Sequence, residues 1–142
     1  MKNKYLALFL RLSIAFGFLS AVADRFGFYA KEISTWGNWN AFVDYTFLMN
    51  YWLPKSLIPS IAIIATILEI VFAICLLLGF KTQLTAKFSG ILLLVFGLSM
   101  TFSFGIKPPL DYSVFAIAAA AFALSNLKTR YLEIDSLFFK EN

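Results

Sequence analysis

Histidine is absent from this chain, and cysteine occurs once, at Cys75. No internal disulfide can form, and no cysteine pair exists for thiol exchange. The usual ligands of zinc and the axial ligands of most haems are missing too. Any electrons passing here would travel on a bound organic cofactor or a partner protein. Charge is also scarce. Only 14% of the 142 residues are Asp, Glu, Lys or Arg, against 61% hydrophobic. A soluble domain of this length exposes too much surface to hide so many apolar side chains, so the composition implies lipid as solvent. The length leaves room for one domain, 1–142. The net charge is +4, but no basic cluster tracks a phosphate backbone. That excludes nucleic acid as the expected partner and leaves the lipid bilayer.

What the chain has instead is apolar runs. Four are expected to cross a bilayer as helices, over about 5–23, 59–79, 88–105 and 112–127. About 20 apolar residues suffice for that. The fold expected is all-α, an integral membrane four-helix bundle. The first run has the look of a signal peptide, with Lys2 and Lys4 ahead and Ala21-Val22-Ala23 behind. Arg11 splits its apolar core, which favours an uncleaved first helix. Pro59 suits the first turn of the second run and Gly79 its end. Lys81 and Lys87 fall in a short connector. Lys107-Pro108-Pro109 should break the chain before the last run, which Asn126, Lys128 and Arg130 then end.

Between the first two runs lies an aromatic stretch, 24–58. Phe42, Tyr45, Met49 and Trp52 recur near helical spacing, which predicts an amphipathic helix in the membrane interface, packed over the mouth of the bundle. The tail, YLEIDSLFFKEN, is too polar to cross and is expected on the surface. Lys2, Lys4, Lys81, Lys87, Lys128, Arg130 and Lys140 fall on one side of the expected spans. Arg25, Lys31, Lys55 and Lys107 fall on the other, balanced by Asp24, Glu32, Asp44 and Asp111. The positive-inside rule then puts both termini in the cytoplasm.

Small residues mark faces for close helix approach. They are Ser13, Gly17 and Ala21 in the first run, Gly90 and Gly97 in the third, and Ala116, Ala119, Ala120 and Ala123 in the fourth. Cys75 reads as a small apolar packer.

One residue stands against this background. Glu69 sits inside LIPSIAIIATILEIVFAICLLLGF, residues 57–80. A charge there is costly to insert and is kept for a partner or a task. Ala65 and Ala73 share its stripe, so it should face other helices. Arg11, flanked by Ala7 and Ala15, repeats the pattern. An Arg11–Glu69 pair would neutralise both, but side chains on a helix lean toward its N-terminus, which sends the two apart. Arg11 can instead reach the interface. Glu69 then looks outward, toward Asp24 and Arg25, Lys107 and Asp111, Tyr112, and Thr66 one turn away. Alone, its carboxyl would stay protonated, able to bind a quinone carbonyl or relay a proton. The bland alternative is a hydrogen bond that only fixes helix register.

These pieces resemble the DoxX family of small four-helix membrane proteins, with its DoxD-like and MauE-like members. LRLSIAFGFLSAVADRF is similar to the family's opening, with Arg11 and Arg25 at its two basic places. Asp24-Arg25 departs from the small residue and Lys common at the second. ILEIVFAICLLLGF resembles the second-span pattern, with Glu69 at its acidic position. LEIDSLF is similar to the family's ending in a different order. The resemblance covers nearly the whole chain, and motif order and spacing carry it. The family takes its name from a subunit of a thiosulfate:quinone oxidoreductase. The resemblance implies a polytopic inner-membrane protein and leaves two functions open: a redox-associated subunit that binds a quinone or another hydrophobic small molecule between its helices and works with other redox subunits, or a non-catalytic module that binds lipid or docks a partner protein. The candidate ligand-binding residues are Glu69, Arg25, Asp111, Arg11, Thr66 and Tyr112.

Overall fold

Several helix boundaries trace to a local cause. The computed structural model describes residues 2–128 and 131–138, so Arg130 and Lys140 of the charge pattern lie outside the described residues. The described residues form helices and no strands: α1 (Lys2–Arg25), α2 (Trp39–Met49), α3 (Ile58–Leu78), α4 (Thr82–Phe104), α5 (Lys107–Asp111), α6 (Val114–Asn126) and α7 (Asp135–Phe138), with a 3-10 turn at Lys55–Leu57. α1 ends at Gly27, whose φ of 75° supplies the left-handed turn a C-terminal cap needs. α2 starts at Asn38, whose side chain accepts a 2.9 Å bond from the Ala41 amide. α3 carries Pro59 in its first turn and stops at Gly79, φ 68°. A Cβ on Gly79 would stand 2.6 Å from the Cα of Glu133, so only glycine fits.

α1, α3 and α4 are each long and apolar enough to cross a membrane. α6 has 13 residues. That is about 20 Å of helix at 1.5 Å per residue, short of the roughly 30 Å of a hydrocarbon core. The expected last span, 112–127, is thus a shorter helix that begins after Ser113.

α1, α3, α4 and α6 pack side by side, most extensively as two pairs, α1 with α3 and α4 with α6. The second pair explains the glycines of α4. A Cβ on Gly90 would meet the Phe122 ring at 2.9 Å, and one on Gly97 the Phe115 ring at 2.7 Å. Two rings one heptad apart thus drop into two notches one heptad apart. Elsewhere the small-residue faces differ from expectation. α6 buries Ala118, Ala121 and Leu124 and exposes Ala116, Ala119 and Ala123. In α1, Ser13 and Gly17 are exposed, and no neighbouring atom lies within 4 Å of a Cβ built on Gly17.

Other boundaries shift for plain reasons. Lys87 lies inside α4, because the turn is only Gly79 to Lys81, with Lys81 at φ 44° starting the next helix. The diproline does not leave open chain. Pro108 and Pro109 sit in the first turn of α5, where their missing amides are unneeded. α2 keeps Phe42 and Met49 buried and Tyr45 half-buried, but it ends before Trp52, which is exposed. The described part of the tail is only partly on the surface: Leu132, Ser136 and Leu137 are exposed, and residues 139–142 lie outside the described residues. Residues 131–135 fold back on the end of α3, where the Ile134 amide donates to Leu78 O at 3.0 Å and Glu133 and Asp135 are buried.

Candidate functional site

Glu69 faces inward, as its alanine stripe requires. Ala65, Glu69 and Ala73 are all buried on one line of α3. Its partner is Arg25, the last residue of α1. Arg25 Nη2 donates to Glu69 Oε1 at 2.9 Å, and Nη1 donates both to Glu69 Oε2 and to Thr66 Oγ1, the latter at 2.8 Å. Thr66 Oγ1 in turn donates a hydrogen bond to Ala62 O at 2.8 Å. The two-pronged guanidinium–carboxylate contact is the strong geometry for such a pair. Arg25 is 2% exposed and Glu69 3%, so the pair is removed from solvent and each partner depends on the other.

The pair is roofed by the aromatic segment. The Arg25 guanidinium lies 3.8 Å from the Phe42 ring centroid and 5.3 Å from that of Trp36. Trp36 meets Phe42 edge-on at 5.1 Å and Tyr45 at 5.8 Å. Asp24 holds this roof in place. Its carboxylate accepts the amides of Thr35 at 3.0 Å and Trp36 at 2.8 Å, and the Ser34 hydroxyl. Adjacent residues thus divide the work, Asp24 fixing the loop and Arg25 the helix pair.

Beneath the roof lies a cavity of about 320 Å³. Its walls come from all four packed helices and from α2. Ile14, Phe18, Ile61, Leu93, Phe96 and Met100 make it apolar along most of its length. Arg25, Glu69, Thr46, Asn50, Tyr45 and Tyr112 make one end polar. Asn50 is buried and donates to Thr46 O at 2.9 Å. Burial pushes the Tyr45 phenol above its ordinary value, and the nearby Tyr112 adds to this.

The candidate residues therefore divide. Arg25, Glu69 and Thr66 form one cluster, and Tyr112 lines the same cavity. Asp111 is not there; it is exposed and pairs with Lys107 one turn away in α5. Arg11 is away from this cluster, near the middle of α1, and is buried with its side chain at the far end of α3. Its Nε donates to Leu76 O at 2.9 Å, Nη2 to Leu77 O at 3.1 Å and Leu132 O at 3.1 Å, and Nη1 to Tyr131 O at 2.8 Å. Glu133 stands 3.7 Å away. Arg11 thus caps the open carbonyls at the end of α3 and ties down the tail. Trp36, Thr46 and Asn50 were not anticipated. They come from turns and a short helix with no spanning signal; only the aromatic, punctuated composition of 24–58 hinted at them. Among the described residues no group of three acidic or cysteine side chains could hold a metal ion.

Comparison with protein families, with curated proteins and with solved structures returns no match to the chain.

Proposed function

We propose that this is a four-helix protein of the bacterial cytoplasmic membrane, of the DoxX type. In this reading it binds a quinone or another hydrophobic small molecule between its helices. The observation that carries the proposal is the cavity, apolar along its walls and ended by a buried Arg25–Glu69 pair. Its volume falls at the small end of the range for ligand pockets, roughly 300–1,000 Å³. Ionisable groups inside a spanning bundle are costly and mark sites of function. The order of the DoxX-like motifs adds support, since Arg25 and Glu69 occupy its second basic and its acidic places. The chain then acts as the binding subunit of a quinone-linked assembly, with no independent activity, and a partner supplies the electron donor. Both termini face the cytoplasm, in keeping with the distribution of lysines.

One observation favours a second reading. A buried, two-pronged ion pair also fixes helix register by itself. The chain would then be a non-catalytic module that binds lipid or docks a partner protein.

Extraction in mild detergent separates the two. Absorbance and mass spectrometry should find a quinone co-purifying with the wild-type chain and lost from the paired variant R25Q/E69Q. A chain free of quinone, with the same bound lipids in both forms, would sink the first reading.

A further inference from the structure

Two residues that line the cavity each carry a buried donor with no acceptor among the described residues. The donors are Nε of Arg25 and Nε1 of Trp36. The terminal nitrogens of Arg25 are taken by Glu69 and Thr66, which leaves Nε–H as the spare donor of a buried residue. Buried donors without partners are rare and call for an explanation. Both belong to one aromatic box, with the guanidinium 5.3 Å from the Trp36 ring centroid. Charge narrows what could fill it. Glu69 cancels Arg25, and no other carboxylate or cation lines the cavity among the described residues. An anion would bring an uncompensated charge into a poorly solvated site. A neutral acceptor satisfies the donors without that cost.

Shape narrows it further. Near Arg11 the helices close on one another through Ala7, Ile14, Ala118, Ala121 and Leu124, which share one core. Toward the roof, α1 and α6 both border the cavity. Gly17 and Ala21 face the cavity from α1, and Val114 and Ile117 from α6. Gly17 and Ile117 are also exposed on the outside of the bundle. Gly17 has open space where a side chain would stand. The cavity thus communicates sideways with the region that lipid would fill, over a rim kept low by a missing Cβ.

We infer that the cavity takes a neutral, carbonyl-headed amphiphile. Its oxygen accepts from Trp36 Nε1–H and Arg25 Nε–H after a small turn of those side chains. Its chain leaves for the lipid between α1 and α6, past Gly17. This rests on the cavity being a binding site for a small hydrophobic molecule.

Titration calorimetry on the detergent-solubilised full chain tests it with three probes: a decyl-substituted benzoquinone, the tetramethyl benzoquinone head alone, and decanoate. The wild-type chain should bind both quinones and bind decanoate at least tenfold more weakly than the decyl quinone. W36F keeps the ring and removes the donor; it should weaken both quinones about tenfold, the effect of stranding one acceptor. G17L should cut decyl quinone binding at least tenfold and spare the head alone. S13L, one turn away on the same exposed face and outside the lining, should change nothing. Unaltered quinone binding in both W36F and G17L, or decanoate bound as well as the decyl quinone, overturns this inference and leaves the binding site standing. No binding of any probe to the wild-type chain overturns both.

Discussion

Arg25 and Glu69 neutralise one another where water does not reach, so the two ends of the pair should respond unequally to substitution. A carboxyl can take up a proton, and a guanidinium cannot lose one. Glu69→Gln strands a buried cation and should destabilise the protein by about 3–5 kcal/mol. Arg25→Gln should cost distinctly less, and R25Q/E69Q should recover much of the loss. Thermal unfolding in one detergent measures all three, and equal costs for the two single variants would refute the argument. Glu69 was legible because a carboxylate in a spanning run needs a partner, and Arg25 because it closes the neighbouring run. Thr66 followed from helical spacing. Asp111 did not belong, since Lys107 stands one turn away on its own element and satisfies it. Trp36 and Asn50 could not be read in advance. The contacts Asp24 makes with the Ser34 hydroxyl and the amides of Thr35 and Trp36 place Trp36, and such loop geometry leaves no periodic mark in a sequence.

At the scale of elements, the α4–α6 contact is the sharpest fit in the bundle. Phe115 and Phe122 fill the places of the missing side chains at Gly97 and Gly90. Gly97→Ala should therefore destabilise through overpacking, by about 1–3 kcal/mol. Phe115→Leu in the same chain should restore part of it, because the smaller side chain clears the new methyl. A double-mutant cycle by thermal unfolding reads the coupling, and strict additivity would show that the ring and the notch do not meet. The heptad spacing of the glycines was visible in the sequence, but not which helix fills them, because a small-residue face says only that something comes close. The opposite outcome at Gly17 makes the same point. Its spacing with Ser13 and Ala21 looks like a packing stripe, and yet it borders open space. α6 shows a further limit. Hydropathy finds the run but not that it is only 13 residues of helix, since Ser113 with φ 57° sets its start.

Over the whole molecule, the two arginines of α1 hold opposite ends of the structure together. Arg25 joins α1 to the middle of α3 under the aromatic roof. Arg11 joins α1 to the last carbonyls of α3 and to residues 131–132. Arg11→Gln should loosen the tail, giving faster hydrogen exchange at the Ile134 amide and earlier proteolysis near residue 131, with the Arg25 end unaffected. The same arrangement gathers the start of α1, the α3–α4 turn and residues 131–134 at one end. Lys4 lies over the Tyr131 ring there, 5.0 Å from its centroid. Lys55 and Lys107 are at the other end with the roof. The charge asymmetry in the sequence thus becomes a polarity of the folded molecule, and it fixes an orientation if lipid surrounds the bundle. Lys55 and Lys81 are both exposed, one at each end. In a Cys75→Ser background, Lys55→Cys should react with an impermeant maleimide on intact cells, and Lys81→Cys only after permeabilisation. The reverse pattern would invert the orientation. Equal labelling of both before permeabilisation would mean that α3, the helix between them, does not cross the membrane.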